Sequence, residues 1–254
     1  RDLVFNLGEH FVGGETGMGG AIILAAEAAL RTGVGLARVA TRAPHVAPLL
    51  ARRPECMAQA VEARGDLEAL LPWASAVVIG PGLGRSPWSE QMLHAALGAG
   101  RPLLLDADAL NLIAAAGTAT LPAGAVITPH PGEAARLLGC SVAAVQADRF
   151  AAAGDLAART GAAVVLKGAG TVVAADGQFA VSASGNAGMA SGGMGDVLSG
   201  IVGALLAQGL SAGAAARLAT ELHGTAADRA VRRDGAMASL LAADLPPLLA
   251  ELLP

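Results

Sequence analysis

The chain has 254 residues, 54% of them hydrophobic but only 2% aromatic, with 34 glycines and no tyrosine. That length suits one large α/β domain spanning residues 1–254, whose core must be filled mainly by alanine, leucine and valine. A formal charge of -4 supplies no broad basic field and excludes a nucleic-acid groove held by phosphate contacts, and no uncharged run is apolar enough for a membrane span.

At the start, Arg1 and Asp2 precede only a short apolar stretch, so no signal peptide is expected. Aliphatic runs then recur at Leu36 to Thr41, Ala76 to Ile79, Leu103 to Asp106, Ala125 to Thr128 and Ala163 to Lys167, separated by longer alanine-rich stretches. That alternation predicts βα units around a mostly parallel central sheet with helices on both faces. A helix is predicted from Ser141 to Thr160, stopped by Gly161. Thr171 to Ala174 and Gln178 to Ser182, split by Asp176-Gly177, predict a hairpin. Beyond Asp196 no strand pattern returns. Val197 to Ala216 reads as a buried helix and a turn, and Pro246-Pro247 as a break in the last helical segment. Trp73 and Trp88 are expected to pack in the core. Cys56 and Cys140 have no metal-like spacing and read as buried small hydrophobes suited to a reducing cytoplasm.

The chemistry-bearing segments follow the strands. GNAGMASGGMGD, residues 185–196, runs straight into the apolar VLSGIVGALLA. Glycines permit positive φ and close backbone approach, and a helix starting near Met194 presents unpaired N–H groups and a positive dipole end. Gly192, Gly193, Met194 and Gly195 therefore read as an anion hole for a transferred phosphoryl group. Asp196 either complements the helix dipole or acts as a general base taking a proton from a substrate hydroxyl. IGPGLG, Ile79 to Gly84, is either a plain βα turn or a ligand loop. KGAGT, Lys167 to Thr171, is either a hairpin with a solvated lysine or a nucleotide-phosphate loop, although no P-loop signature occurs. DADALN, Asp106 to Asn111, and TPHPGE, Thr128 to Glu133, carry acids that could hold Mg²⁺ through water. Within them, Asp108 is a helix-cap candidate, and His130 lies between two prolines.

Taken in order, GMGGAIILAAEAALRTGVGLARVAT, VVIGPGLG, LLLDADALNL, VITPHPGEAARLLG, VVLKGAGTVVA and GNAGMASGGMGDVLSGIVGALLAQG resemble the NAD(P)H-hydrate dehydratase family over roughly residues 13 to 245. The resemblance implies a ribokinase-like fold, an adenine nucleotide as co-substrate and hydrated NADH or NADPH (NADHX, NADPHX) as substrate. Phosphorylation turns the extra hydroxyl into a leaving group, and elimination restores the dihydronicotinamide. ADP usually serves bacterial relatives, giving AMP and phosphate, while eukaryotic ones use ATP; the bacterial look of these motifs favours ADP. Carried over by motif, Ala21, Gly84, His130 and Asp196 match positions for the hydrated cofactor, and Lys167, Gly168, Ala169, Gly170, Thr171 and Gly195 match positions for the nucleotide. The resemblance further implies a homotetramer and an epimerase for the two hydrate epimers, either as a separate partner or as an N-terminal domain that this stretch lacks. It departs from the family at RDLVFNLGEHFVGGETG, where a lysine-glycine loop is normal. The alternatives are a small-molecule kinase of the same fold acting on a vitamin-precursor alcohol, which would leave a stable phosphate ester, and a nucleotide-binding regulator without chemistry.

Overall fold

The computed structural model describes residues 8–253. In chain order the strands are β1 Gly8–Val12, β2 Leu36–Thr41, β3 Met57–Ala60, β4 Ala76–Ile79, β5 Leu103–Leu105, β6 Val126–Ile127, β7 Ala163–Leu166, β8 Val172–Ala175 and β9 Gln178–Val181. The α-helices are α1 Gly19–Arg31, α2 Val46–Arg52, α3 Arg64–Glu68, α4 Pro87–Leu97, α5 Ala107–Ala115, α6 Pro131–Leu138, α7 Val142–Ala147, α8 Arg149–Thr160, α9 Met194–Ala207, α10 Ala212–Asp234 and α11 Leu245–Leu249.

The strands form one sheet in the order β3-β2-β1-β4-β5-β6-β7-β8-β9. β1 to β7 pair in parallel, and β8 and β9 add an antiparallel hairpin at one edge. Because successive strand side chains point to opposite faces, each inner strand feeds two cores. Phe11, Val39, Val78, Leu104 and Val165 face α1, α9, α10 and α11. Val12, Ala40, Val77, Ile79, Leu105 and Val164 face α3, α4, α5, α6 and α8. Burial on both faces is why β4, β5, β6 and β7 read as continuous aliphatic runs.

The low aromatic content finds its use where α1 packs on α9. Ala25, Ala28 and Ala29 of α1 are buried, and a Cβ at Gly200 would collide with the Ala25 carbonyl. Small residues let the two helix backbones meet, which holds the first turn of α9 against the sheet.

Most expected elements are present. The hairpin turns at Asp176-Gly177, both with positive φ, and Gly161 closes α8 in the left-handed region at φ 70°. Several expectations need correction. The stretch 141–160 is two helices, because Asp148 leaves helical geometry and its side chain accepts from Ala151 N–H to start α8 anew. Pro246 stands in the first turn of α11, where a missing N–H is harmless, so the prolines start that helix instead of breaking it. Trp88 packs as expected, its indole N–H donating to the Val61 carbonyl at 2.9 Å; Trp73 does not, being 76% exposed. Cys56 is buried, but Cys140 is exposed just after the αL residue Gly139 that ends α6. β1 and β3 were not anticipated: Glu9 and His10 interrupt the apolar pattern of β1, and β3 is an exposed edge strand. Arg1 and Asp2, on which the expectation about a signal peptide rests, lie outside the described residues. Among the described residues no helix is long and apolar enough to cross a membrane.

Candidate active site

In a parallel sheet all the strand C-termini open on one edge, where βα loops can gather ligands. β5, β6 and β7 deliver three charged groups there. Asp106, directly after β5, is 1% exposed. Its Oδ1 accepts from Lys167 Nζ at 2.8 Å and its Oδ2 from Ser199 Oγ of α9 at 2.9 Å. Lys167, directly after β7, also lies 3.9 Å from Glu133 Oε2. Its side chain is 21% exposed, so the alternative of a solvated hairpin lysine does not hold. Asp106, and not Asp108, occupies the N-cap position of α5. Ala107 follows at φ 47°, a strained conformation for a residue with a Cβ, of the kind that gathers at functional sites. A Cβ at Gly80 would collide with the Asp106 carbonyl, so the IGPGLG loop packs against this same turn.

The TPHPGE segment starts α6. His130 is its N-cap: Nδ1 accepts from Gly132 N–H at 3.0 Å and more weakly from Glu133 N–H at 3.4 Å, while Glu133 Oε2 accepts the His130 N–H at 2.8 Å. This reciprocal arrangement is a capping box. Burial pushes the Glu133 carboxyl up to about 7, with the charge of Lys167 opposing and that of Asp106 assisting. Burial lowers His130, and the nearby cations Lys167 and Arg136 add to the effect.

The glycine-rich segment leads into α9 as expected. Gly193 caps the helix at φ 89°, and a Cβ there would press within 2.7 Å of Leu24 Cδ1 on α1. The helix begins at Met194, and its first turn carries Asp196. Burial raises the Asp196 carboxyl to about 7, Asp106 adding to the rise and Lys167 opposing it. Lys167 itself is raised: burial works against its charge, but Asp106, Glu133 and Asp196 together outweigh it. Three carboxyl groups, Asp106, Glu133 and Asp196, thus surround a single ammonium.

Beside this network opens a cleft of about 730 Å³, within the usual range for a small-molecule site. All of Lys167, Gly168, Ala169, Gly170, Thr171 and Gly195 line it, together with His130 and Met194. Asp196 follows the lining residue Gly195, and a Cβ on Gly195 would sit 3.2 Å from Lys167 Nζ. Gly192 is exposed with open space around it. Of the four expected anion-hole residues, Met194 and Gly195 are thus the ones on the cleft.

Ala21 and Gly84 form a second group across the mouth of β1 and β4. Gly82 approaches Ala21 Cβ, and Gly84 approaches Glu15 and Met18. Gly84 N–H donates to Asp108 Oδ2 at 3.0 Å. Glu15 accepts from Ser86 Oγ and pairs with Arg42 at 3.3 Å, and Arg42 lies over the Trp88 ring, 5.2 Å from its centroid.

Sequence reasoning did not single out Ser199, Asn186, Asp228 or His223. Ser199 stands one helical turn after Gly195, a spacing that could have marked it. Asp228 accepts from Gly185 N–H at 2.9 Å and from Asn186 Nδ2 at 3.0 Å, tying the glycine-rich segment to α10; no local pattern announces a contact 42 residues long. Among the described residues no group of three or more His, Cys, Asp or Glu side chains is arranged to hold a metal ion. The Lys167 ammonium, at 2.8 Å from Asp106 and 3.9 Å from Glu133, occupies the place a cation would take between them.

A family model described as NAD(P)H-hydrate dehydratase matches residues 10–247. The chain is 49% identical over 237 residues to a bifunctional NAD(P)H-hydrate repair enzyme of Coxiella burnetii, covering 93% of this chain but 48% of that protein. It is 43% identical over 244 residues to the ADP-dependent (S)-NAD(P)H-hydrate dehydratase of Neisseria meningitidis, covering 93% of this chain and 81% of that protein. The chain spans about half the length of the bifunctional relatives it matches. The ADP/ATP-dependent NAD(P)H-hydrate dehydratase of Bacillus subtilis, co-crystallised with ATP and Mg²⁺, superposes with a TM-score of 0.86 at 29% identity, covering 99% of this chain and 92% of that one. The fold is ribokinase-like.

Proposed function

The chain belongs to the NAD(P)H-hydrate dehydratase family, and from that premise we propose that it dehydrates NADHX and NADPHX with an adenine nucleotide as phosphoryl donor. One observation carries the proposal. Asp196, at the N-terminus of α9, is poised near neutrality at about 7 beside a cleft whose wall is the 167–171 loop and Gly195. A base works best when its pKa lies near the working pH.

The 167–171 loop and the first turn of α9 hold the nucleotide phosphates, where N–H groups without helical partners and the helix dipole face the negative charge. Asp196 takes the proton from the hydrate hydroxyl as its oxygen bonds the terminal phosphoryl group and the anhydride bond breaks. The C–O bond then breaks with phosphate leaving, and loss of the neighbouring ring proton restores the dihydronicotinamide. With ADP the products are AMP and phosphate. Ala21, Gly84 and His130 are assigned to the hydrated ring by their match to the family's positions, and of the three His130 is the one that lines the cleft. Lys167, tied to Asp106, neutralises charge next to Asp196.

Mg²⁺ fits this site only as a companion of the phosphates, since no cage of protein ligands gathers there; Glu133 would reach it through water, as suits an ion that keeps its hydration shell. Bound with the nucleotide, it would supply further neutralisation of the phosphates. The proposal places residues 1–254 as the dehydratase part of a hydrate-repair system in the cytoplasm, assembled as a homotetramer. An epimerase works beside it, a reading supported by relatives that are named bifunctional and of which this chain spans about half. Neither nucleic acid nor membrane takes part.

The test is to incubate the protein with NADHX and either ADP or ATP and follow the return of NADH absorbance. ADP should serve at least as well as ATP. A stable phosphate ester in place of NADH would instead mark a small-molecule kinase.

A further inference from the structure

Asp148 caps α8, and Arg149 stands at its first position, where the positive end of the helix dipole disfavours a cation. Among the described residues no carboxylate pairs with it. Its partners are main-chain carbonyls at the end of β7 and in the loop that follows. Nη1 donates to Ala169 C=O at 2.6 Å and Nη2 to Leu166 C=O at 2.9 Å, a span that the planar guanidinium covers and a single ammonium does not. The group lies against Gly168, where a Cβ would come within 3.0 Å of Nη2. We propose that Arg149 is a positioning residue for nucleotide binding: it grips the 167–171 loop so that Gly170 N–H is presented to a phosphate oxygen. This rests on the reading of the cleft as a nucleotide site.

The hydrogen bonds of the loop show which donors are already spent. Lys167 N–H goes to Pro129 C=O at 2.9 Å. Gly168 N–H goes to Thr171 Oγ1 at 3.3 Å, and that hydroxyl donates back to Gly168 C=O at 3.0 Å. Gly170 N–H has no acceptor among the described residues, and Gly170 is an exposed residue of the cleft wall. A trans peptide directs its C=O and its N–H to opposite sides. Ala169 C=O is held on Arg149, which is not part of the cleft wall, so the N–H of the same peptide faces away from the guanidinium. Gly170 keeps this turn at φ 63°, which glycine allows without strain. A free N–H needs an acceptor, and phosphate oxygens are the strongest acceptors a nucleotide carries. The guanidinium charge, cancelled by no carboxylate, attracts the same anion through the loop.

The test combines ADP calorimetry and thermal melts of the native protein, Arg149→Met and Arg149→Lys with amide hydrogen exchange of the native protein, read at Gly170 with and without ADP. Arg149→Met should bind ADP about 10-fold more weakly. Arg149→Lys, which restores the charge but meets only one carbonyl, should fall between that variant and the native protein. In the native protein ADP should slow exchange of the Gly170 amide. The inference is overturned if Arg149→Met loses thermal stability but binds ADP like the native protein, since Arg149 then only braces the fold. It is equally overturned if ADP binds the native protein and leaves Gly170 exchange unchanged, an outcome that needs no folded variant. Failure of the native protein to bind either ADP or ATP would overturn the reading of the cleft as well, which separates the two failures.

Discussion

Asp196→Asn separates a base from a helix-end charge. The substitution preserves shape but cannot accept the hydroxyl proton, and loss of a general base typically lowers kcat about 10²- to 10⁴-fold, roughly 3 to 5 kcal/mol of barrier. The structure adds a second readout, because Asp196 titrates higher in the folded protein than its ordinary value, 3.8 against about 7. Between those values the folded state holds more proton than the unfolded state, so this group's contribution to stability falls as pH rises through that window. The upper bound is about 4 kcal/mol, which partial solvent exposure reduces. Asp196→Asn should therefore lose turnover yet melt no lower than the native protein at pH 8, with the difference between the two narrowing at pH 5. In the native protein kcat/KM should rise through about pH 7 as the carboxylate forms. Turnover of NADHX with ADP, ADP calorimetry and thermal melts at the two pH values supply the data. Near-normal kcat in Asp196→Asn would refute the assignment and move the search to Asp106 and Asp108.

Lys167→Met should lower kcat and move the acidic limb of the pH–rate profile upward, because Lys167 holds both Asp196 and Glu133 down; an unmoved limb would show that the ammonium does not set the base. Gly195→Val should weaken ADP binding in calorimetry, since the added Cβ alone would lie 3.2 Å from Lys167 Nζ and 3.5 Å from Asp106 Oδ2, and unchanged affinity would count against the phosphate role of this turn. His130→Ala should raise KM for the hydrate and, by removing the N-cap of α6, cost about 1 kcal/mol in a denaturant melt. The stability loss without the KM change would leave His130 as a cap only.

What could be read from the order of residues is local. Strands buried on both faces are aliphatic throughout, so β4, β5, β6 and β7 stood out, and β2 did so through its largely buried second half. The hairpin was legible from Asp176-Gly177, and the start of α9 from glycines that only a tight, close-packed turn requires. The TPHPGE and KGAGT segments marked the right sheet edge because strand ends carry loops. Local pattern failed where tertiary context overrides it. β1 was missed because Glu9 and His10 are buried in a run that should be apolar. The break at Asp148 was hidden because the composition on both sides is helical.

Only the folded chain could decide how the site works. The parallel order of the sheet brings Asp106 and Lys167 together across 61 residues of sequence, and that contact converts a lysine that could have been solvated into the counter-charge of a carboxylate cluster. The raised values of Asp196 and Glu133 arise from burial and from one another's neighbours, quantities that no residue carries in its own type. His223 shows the same limit: nothing in its local sequence marks it, and only the packing of α10 behind the start of α9 leaves its Nε2 buried and without a hydrogen-bond partner in a residue that borders the cleft.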